Sequence, residues 1–264
     1  MKQLASLVAL LALGTPALAE DAAPRIDGHR AIYEIGFGSA RNDAGVIGAT
    51  GRYVFDLADT CDGYALNERL VVELARASDG VLTDYRLSAY ESADGGSYRF
   101  STQTDFDGET GQSAEGALTL EDGRTEVEYA SEERLAYDEP VLTPVAHVRA
   151  VLAEALAGGE RHAAMIFDGD RETPVFYAVT RIRADDAEAA PSDAEGGWRL
   201  RDLRRWRIDS AYYPPEADGE AAVPRFAFAA VLYENGIVDD LVLDYQDFAL
   251  KARMSELELH DGGC

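Results

Sequence analysis

Apolar and polar residues alternate along most of the chain. From Ala31 to Phe37 the odd-numbered positions are apolar, and similar rows recur further on. A period of two places successive side chains on opposite faces of a strand. We therefore predict strands of a sheet with one buried and one solvated face. The later rows are Tyr53, Phe55 and Leu57, then Leu66, Leu70, Val72 and Leu74, and then Tyr98 and Phe100.

Turn signals separate these rows at short intervals. The pair Asn235-Gly236 lies between the apolar segments Phe226–Tyr233 and Ile237–Tyr245, which predicts a two-residue hairpin of type I′. Many strands at short spacing predict a large antiparallel sheet, either a barrel or an open half-barrel. The other turn signals are Asp94-Gly95-Gly96, Asp107-Gly108 and Asp122-Gly123.

One segment has helical spacing instead. Thr143 is a suitable N-cap, Pro144 fits the first helical position, and Gly158-Gly159 ends the pattern. The side chains between these limits are mostly Ala, Val and Leu, which indicates a buried helix. The predicted fold class is mainly β, a large antiparallel open barrel or β-spiral wrapped around one apolar helix. The helical apolar positions are Val145, Val148, Leu152 and Leu156.

The N-terminus has the pattern of a secretory signal peptide. Lys2 precedes the apolar run Leu4–Leu13, and Ala17-Leu18-Ala19 is a small-residue cleavage motif. The run is too short to span a bilayer, although a membrane anchor is the alternative. We expect cleavage after Ala19, a mature single domain over 20–264 in the periplasm, and no membrane span.

The chain of 264 residues is strongly acidic. It contains 24 Lys and Arg against 49 Asp and Glu, a formal charge of −25. Such a charge repels nucleic-acid phosphates and anionic membranes, so we expect no nucleic-acid partner. The segment Ala184–Gly197 is acidic, contains Pro191 and lacks periodicity, and we expect a mobile loop there.

The two cysteines are Cys61 and Cys264. An oxidising compartment favours a disulfide between them, which would tie down the C-terminus, and two free thiols are the alternative. No Cys-x-x-Cys motif is present, which excludes a thioredoxin-type redox centre.

Motifs for catalysis are absent. The chain has no Gly-x-Ser-x-Gly and no His-Glu-x-x-His, and Asp105–Glu109 fails the pattern of a calcium loop. We predict no catalytic residue, no metal and no cofactor. His147 lies within the apolar helix, where a hydrogen-bonded core histidine is weighed against a catalytic one.

A basic stripe stands out against the acidic background. In an extended chain its arginines share one face, with Trp198 and Trp206 on the other. One interpretation is a strand with a solvated basic face, and the other is a docking stripe for an anionic partner or lipid head group. The candidate partner-binding residues are Arg199, Arg201, Arg205 and Arg207.

Several motifs together resemble the EipB-type cell-envelope integrity proteins of Gram-negative bacteria. Tyr64 stands where that family more usually has Trp, and Thr143 replaces a Phe, so any pocket those positions line would differ. The motifs are Cys61-Asp62-Gly63-Tyr64, Pro144 and His147 heading the helix, Asp168-Gly169 after a strand, Asn235-Gly236, and Asp244-Tyr245 followed by Asp247-Phe248.

The resemblance implies a periplasmic open barrel closed by a disulfide between Cys61 and Cys264, with a fold similar to that of periplasmic lipoprotein carriers. It implies a non-enzymatic role in cell-envelope integrity, exerted through a binding surface or cavity. The alternative is a carrier of lipid or lipoprotein acyl chains, and a hydrolase of envelope polymers is a third hypothesis. We expect a monomer whose partner is a periplasmic protein or a lipid or lipoprotein.

Overall fold

The computed structural model describes residues 24–261, except 42–43, 78, 170, 172, 186–191 and 216–222. Within these residues the fold is mainly β, as predicted, with fifteen strands and one α-helix, α1 (Pro144–Leu156). The first eight strands are β1 (His29–Ala40), β2 (Val46–Asp59), β3 (Gly63–Arg76), β4 (Gly80–Ser92), β5 (Ser97–Phe106), β6 (Glu109–Glu121), β7 (Arg124–Tyr129) and β8 (Arg134–Tyr137). The others are β9 (Val141–Leu142), β10 (Arg161–Phe167), β11 (Val175–Ala184), β12 (Arg205–Tyr213), β13 (Phe226–Tyr233), β14 (Val238–Asp244) and β15 (Phe248–Leu259).

All fifteen strands form one sheet that is nearly closed. Its order runs from β8 back to β1 and then from β15 back to β9, so β1 pairs with both β2 and β15. The two outermost strands, β8 and β9, follow each other in the chain. The Thr125 hydroxyl donates to the Glu139 carbonyl at 3.1 Å and accepts the Val141 N–H at 2.9 Å, which links the two sides of this seam.

The turns follow the sequence signals with one correction. Asp122 and Gly123 both have positive φ, as a type I′ turn requires. At Asn235-Gly236 the predicted type I′ turn is wrong, because only Gly236 has positive φ and its N–H donates to the Tyr233 carbonyl at 2.8 Å. The connection is a longer turn that ends in a left-handed glycine.

Helix α1 closes one end of the barrel. It begins at Pro144, as predicted, and buries Val145, Val151 and Leu152 on one face. Its C-terminal half belongs to a core cluster with Trp206 and Leu232, and its N-terminal half to a second cluster with Tyr64 and Phe167. The guanidinium of Arg149 donates to the carbonyls of Pro24 (2.9 Å) and Ala93 (2.6 Å), which fixes the helix against the β4–β5 turn.

The predicted extended strand through the basic stripe is wrong in its first half. Gly197–Leu200 is a 3₁₀ turn, and β12 begins only at Arg205. The cause is a tertiary contact, because the Glu195 N–H donates to Ser255 and the Glu195 carbonyl accepts the Leu257 N–H along β15. Gly196, with φ of +80°, then turns the chain so that Leu200 enters the core.

Three predictions lie partly or wholly outside the described residues: the signal peptide at 1–19, residues 186–191 of the acidic loop, and Cys264. The register nevertheless brings the end of β15 close to the β2–β3 turn, which carries Cys61. His29 is opposite both Leu57 and Leu259, and the His260 N–H donates to the Gly28 carbonyl at 2.9 Å. The chain therefore leaves β15 beside the β2–β3 turn that carries Cys61. The disulfide itself stays a prediction.

Candidate binding cavity

A cavity of about 670 Å³ opens where the barrel is not filled by α1. Its walls come from β4, β5 and β6, from the β7–β8 turn and from the β10–β11 loop. This volume lies within the usual range for small-molecule sites. The lining residues are Tyr85, Thr102, Thr104, Gly111, Gln112, Ser113, Ala114, Glu133, Asp168 and Arg171.

The cavity exists because side-chain size changes along the inner face of β5. Tyr98 and Phe100 are buried and contact Phe167, with ring centroids 6.1 and 5.1 Å away. The next two inward positions are Thr102 and Thr104, which line the cavity. Replacing aromatic rings with small hydroxyl side chains ends the packed core and leaves a polar wall.

An ion pair crosses the seam at the mouth of the cavity. Arg171 of the β10–β11 loop contacts Glu133 of the β7–β8 turn at 3.1 Å. Both side chains are nearly half exposed, so the pair contributes little to stability. Its geometric effect is to hold together two loops that no strand pairing joins among the described residues.

Glu68 places a carboxylate on the inner face of the barrel. Its neighbours across the sheet are Phe55 and Leu87, which pack in the apolar core. Burial raises the pKa of Glu68 to about 7, a hydrogen bond from Tyr53 opposes this, and the negative charge of Asp168 raises the pKa further. Within the part of the chain that the structure describes, no Lys, Arg or His forms an ion pair with Glu68.

Tyrosine hydroxyls surround this carboxylate. Burial raises the pKa of Tyr53, Tyr85 and Tyr98, and the charge of Glu68 raises each pKa further. These phenols therefore remain protonated and available as donors. Tyr85 also lines the cavity, whereas Glu68 itself is not among the lining residues.

Two histidines lie close together, His147 in α1 and His162 in β10. The rings of His147 and His162 are 5.8 Å apart, and burial lowers the pKa of His147 to about 4. His147 is buried, but its Nδ1 has no hydrogen-bond partner among the described residues, so the expected hydrogen bond is not found at that atom. Its ring also packs against Tyr212 at 6.5 Å.

The Cys61–Tyr64 motif lies at the helix end of the barrel. The Tyr64 hydroxyl accepts the Ile26 N–H at 3.3 Å, and its ring lies under the guanidinium groups of Arg25 and Arg149. A methyl group on Gly63 would collide with the Glu91 carbonyl. The Asp62 carbonyl accepts the Ala93 N–H at 2.8 Å. These contacts secure the β4–β5 turn near α1.

The other motif residues do not converge on one site. Gly236 packs against Ile26, and the Asn235 amide donates to Asp27 at 3.2 Å, both in the β13–β14 turn. At the opposite end Tyr245 stacks on Phe248 at 5.3 Å, and its pKa is raised by burial and by Asp168. Pro144 is the first residue of α1, and Gly169, after β10, has φ of +85°. The Asp244 carboxylate accepts the Gln246 N–H, and the Asp247 carbonyl accepts the Arg41 N–H.

The arginine candidates are also divided. Arg205 pairs with Asp185 at 3.1 Å, and Arg207 lies 3.8 Å from the same carboxylate. Arg199 lies over the ring of Trp198, and Arg201 follows the 3₁₀ turn. They flank the β11–β12 connection, away from the cavity, and form no continuous stripe.

Glu68 was missed by sequence reasoning, although the row of Leu66, Leu70, Val72 and Leu74 contained its signal. The one position this row skips is 68, where a charged residue points inward. In the described part of the chain no three His, Cys, Asp or Glu side chains are arranged to hold a metal ion. The same part contains no helix of the length and apolarity needed to cross a bilayer.

The fold defines a class, a nearly closed and mainly antiparallel barrel with one helix. The model of the EipB-like family matches residues 20–261, and the chain belongs to that family. The cell envelope integrity protein EipB of Brucella abortus (strain 2308) is 28% identical over 245 residues, which cover 91% of this chain and 87% of that protein.

A solved structure has the same architecture. The crystal structure of a β-barrel-like protein of the domain of unknown function DUF1849 from Brucella abortus superposes with a TM-score of 0.82 at 28% identity. The match covers 90% of this chain and all of that one. The family and fold implied by the sequence motifs are therefore confirmed.

Proposed function

We propose that this protein supports cell-envelope integrity in the periplasm by binding a ligand in the barrel cavity, without catalysing a reaction. The name of the Brucella relative supports the process. The observation that supports binding is the cavity of about 670 Å³ with a polar wall. Ligand sites of this volume are typical of concave folds whose walls place a few polar groups.

Several features favour binding over catalysis. His147 is neutral and buried, and its ring packs against His162 and Tyr212, neither of which is a nucleophile poised for activation. Glu68 is hydrogen-bonded to Tyr53 on the inner wall. This carboxylate is not among the residues that line the cavity, so it is not placed to act on a ligand there.

The wall chemistry disfavours an acyl chain in this cavity. Thr102, Thr104 and Gln112 present hydroxyl and amide groups, and Asp168 adds a carboxylate. Covering these groups with hydrocarbon would remove their hydration without replacing it, which costs free energy. The lipid-carrier hypothesis therefore fits this cavity less well than a polar ligand does.

The test is a gene deletion with two complementing genes. We expect the deletion to increase sensitivity to detergents and cell-wall antibiotics, and the full gene to restore resistance. A gene lacking codons 2–19 is expected to produce the protein without restoring resistance, because the leader is needed for export. Unchanged sensitivity in the deletion strain would overturn the proposal, and rescue by the leaderless gene would overturn the periplasmic part.

A further inference from the structure

Two neighbouring histidines bury nitrogen atoms that lack hydrogen-bond partners. The rings of His147 in α1 and His162 in β10 have centres 5.8 Å apart. Within the described residues, neither the buried Nδ1 of His147 nor the buried Nε2 of His162 has a hydrogen-bond partner. A buried polar nitrogen without a partner costs free energy, and in native proteins a bound water or ion commonly supplies the missing contact. The histidine pair is therefore a candidate site for a small occupant.

The groups around this pair are engaged elsewhere. Thr180 lies opposite His162 in the sheet, and its hydroxyl oxygen is 2.8 Å from that of Ser210. Tyr212 packs its ring against His147, with ring centres 6.5 Å apart. An occupant of the site would therefore be held by the two imidazole nitrogens.

This number of ligands distinguishes between the possible occupants. A buried water makes about three hydrogen bonds, and the Thr143 side chain, one turn earlier on α1, lies beside the Glu91 carboxylate instead. Zn²⁺ sites use at least three protein ligands, and the described part of the chain has no cluster of three His, Cys, Asp or Glu side chains for a metal. Cu⁺ is satisfied by two imidazoles, and imidazole nitrogen is a ligand that copper accepts well.

The distance between the rings fits one shared ion. A metal ion lies about 2.0 Å from an imidazole nitrogen, so two rings that share one ion have centres up to about 6 Å apart. The observed 5.8 Å is near this limit, which corresponds to a wide angle between the two bonds. We propose that His147 and His162 bind one monovalent copper ion between α1 and β10.

The charge of the molecule and the burial of the site favour a monovalent cation. The formal charge of −25 raises the concentration of cations near the protein. Moving an ion from water into a buried site is costly, and the cost is smaller for a single charge than for a double one. A bound ion would join the helix that closes the barrel to the strand that follows it.

The test is a competition titration of the mature protein with Cu⁺ under nitrogen, with bathocuproine disulfonate as the coloured competitor. The protein is first treated with iodoacetamide, so that no thiolate competes for copper. We expect uptake of one equivalent of Cu⁺, with an X-ray absorption spectrum of two nitrogen ligands. Zn²⁺, titrated against a zinc indicator, is expected to bind more weakly. No uptake of copper, or tighter binding of zinc, would overturn the inference.

Matched variants locate the ion. His147→Gln and His162→Gln are each expected to weaken Cu⁺ binding at least about tenfold, whereas His260→Gln, which alters the surface contact with Asp56, is expected to leave it unchanged. Copper should also raise the melting temperature of the wild type and of His260→Gln, but not of His162→Gln. If His147→Gln fails to fold, the less buried His162 carries the test. Equal binding by the wild type and His162→Gln, or an equal loss in His260→Gln, would overturn the inference.

These results are separable from those of the proposed function. Neither His147 nor His162 is among the residues that line the cavity. Failure to bind copper would leave the cavity hypothesis unchanged, and normal resistance of the deletion strain would leave the copper site unchanged.

Discussion

Glu68 places a carboxylate in the barrel interior and thereby lowers the free energy of unfolding at neutral pH. Its pKa of about 7 exceeds the ordinary value of 4.5, so between these values the folded protein binds more protons than the unfolded chain. The free energy of unfolding therefore falls as pH rises from about 4.5 through 7. The groups that face Glu68 are Tyr33, Tyr53, Tyr85, Tyr98 and Asp168.

Replacing Glu68 with Gln is expected to remove this penalty. Relative to wild type, the variant should gain stability as pH rises from 4.5 to 8, by up to about 3 kcal/mol. The measurement is urea unfolding of both proteins across this range. His147, with its pKa lowered to about 4, titrates in both proteins and cancels in the difference. A difference that does not change with pH would contradict this explanation.

A substitution at Gly63 tests whether the backbones of β3 and β4 lie in close contact there. Its missing side chain allows β3 to lie against the Glu91 carbonyl, whereas a methyl group at Gly48 would meet only Ala75 at 3.6 Å. We expect Gly63→Ala to destabilise the protein by about 2–4 kcal/mol and Gly48→Ala by less than about 1 kcal/mol. Thermal unfolding of the pair checks this, and equal melting temperatures would refute the packing argument.

At the scale of elements, α1 depends on a carboxylate from a strand. The buried Glu91 accepts the Val145 N–H at 3.1 Å, at the end of the helix where backbone donors lack partners. The pKa of Glu91 is raised because burial outweighs these hydrogen bonds. The side chain therefore joins β4 to the helix that closes the barrel.

Glu91→Ala is expected to lower the free energy of unfolding by about 1–3 kcal/mol, because it leaves a buried N–H without a partner. Glu121→Ala, at the exposed end of β6, is the matched control and should change it by less than about 0.5 kcal/mol. Denaturant unfolding and protease digestion within α1 report the effect. Equal stability of the two variants would show that the carboxylate does not hold the helix.

Local patterns predicted most elements, because the alternating rows of the strands and the first and last residues of α1 depend on residues close together in the sequence. The incorrect predictions occurred where contacts between residues distant in the sequence determine the local structure. The 3₁₀ turn at Gly197–Leu200 depends on pairing of Glu195 with β15, about sixty residues later. The inward direction of Glu68 was readable from strand parity, but its proximity to Asp168 depends on the curvature of the whole sheet.

The whole molecule is a sheet whose outermost strands, β8 and β9, meet at the seam of the barrel. Helix α1 lies at one opening of this barrel, and the cavity lies at the other. Whether the concavity would be filled could not be predicted, because the cavity combines residues from β5 and from the β10–β11 loop. Their relative height depends on strand stagger around the barrel. A single sequence does not encode that stagger in any local motif.

The predicted Cys61–Cys264 disulfide belongs to this scale, since it would fasten the chain end to the β2–β3 turn. We expect Cys264→Ser to lower the melting temperature by several degrees and to expose the end of β15 to proteases; a loop of about 200 residues sets a ceiling near 5 kcal/mol. Calorimetry of the oxidised, reduced and variant proteins measures this. Identical melting of oxidised and reduced wild type would contradict it.

The most direct test of the cavity as the functional element is complementation with a filled cavity. Thr104→Trp places a large ring on the inner face of β5, and Ser101→Trp places the same ring on its exposed face. The variants are expressed from the deletion strain's complementing plasmid, matched for periplasmic level and melting temperature, and scored for detergent resistance. We expect Ser101→Trp to restore resistance and Thr104→Trp to fail. Full rescue by a stably folded Thr104→Trp protein would contradict a role for the cavity.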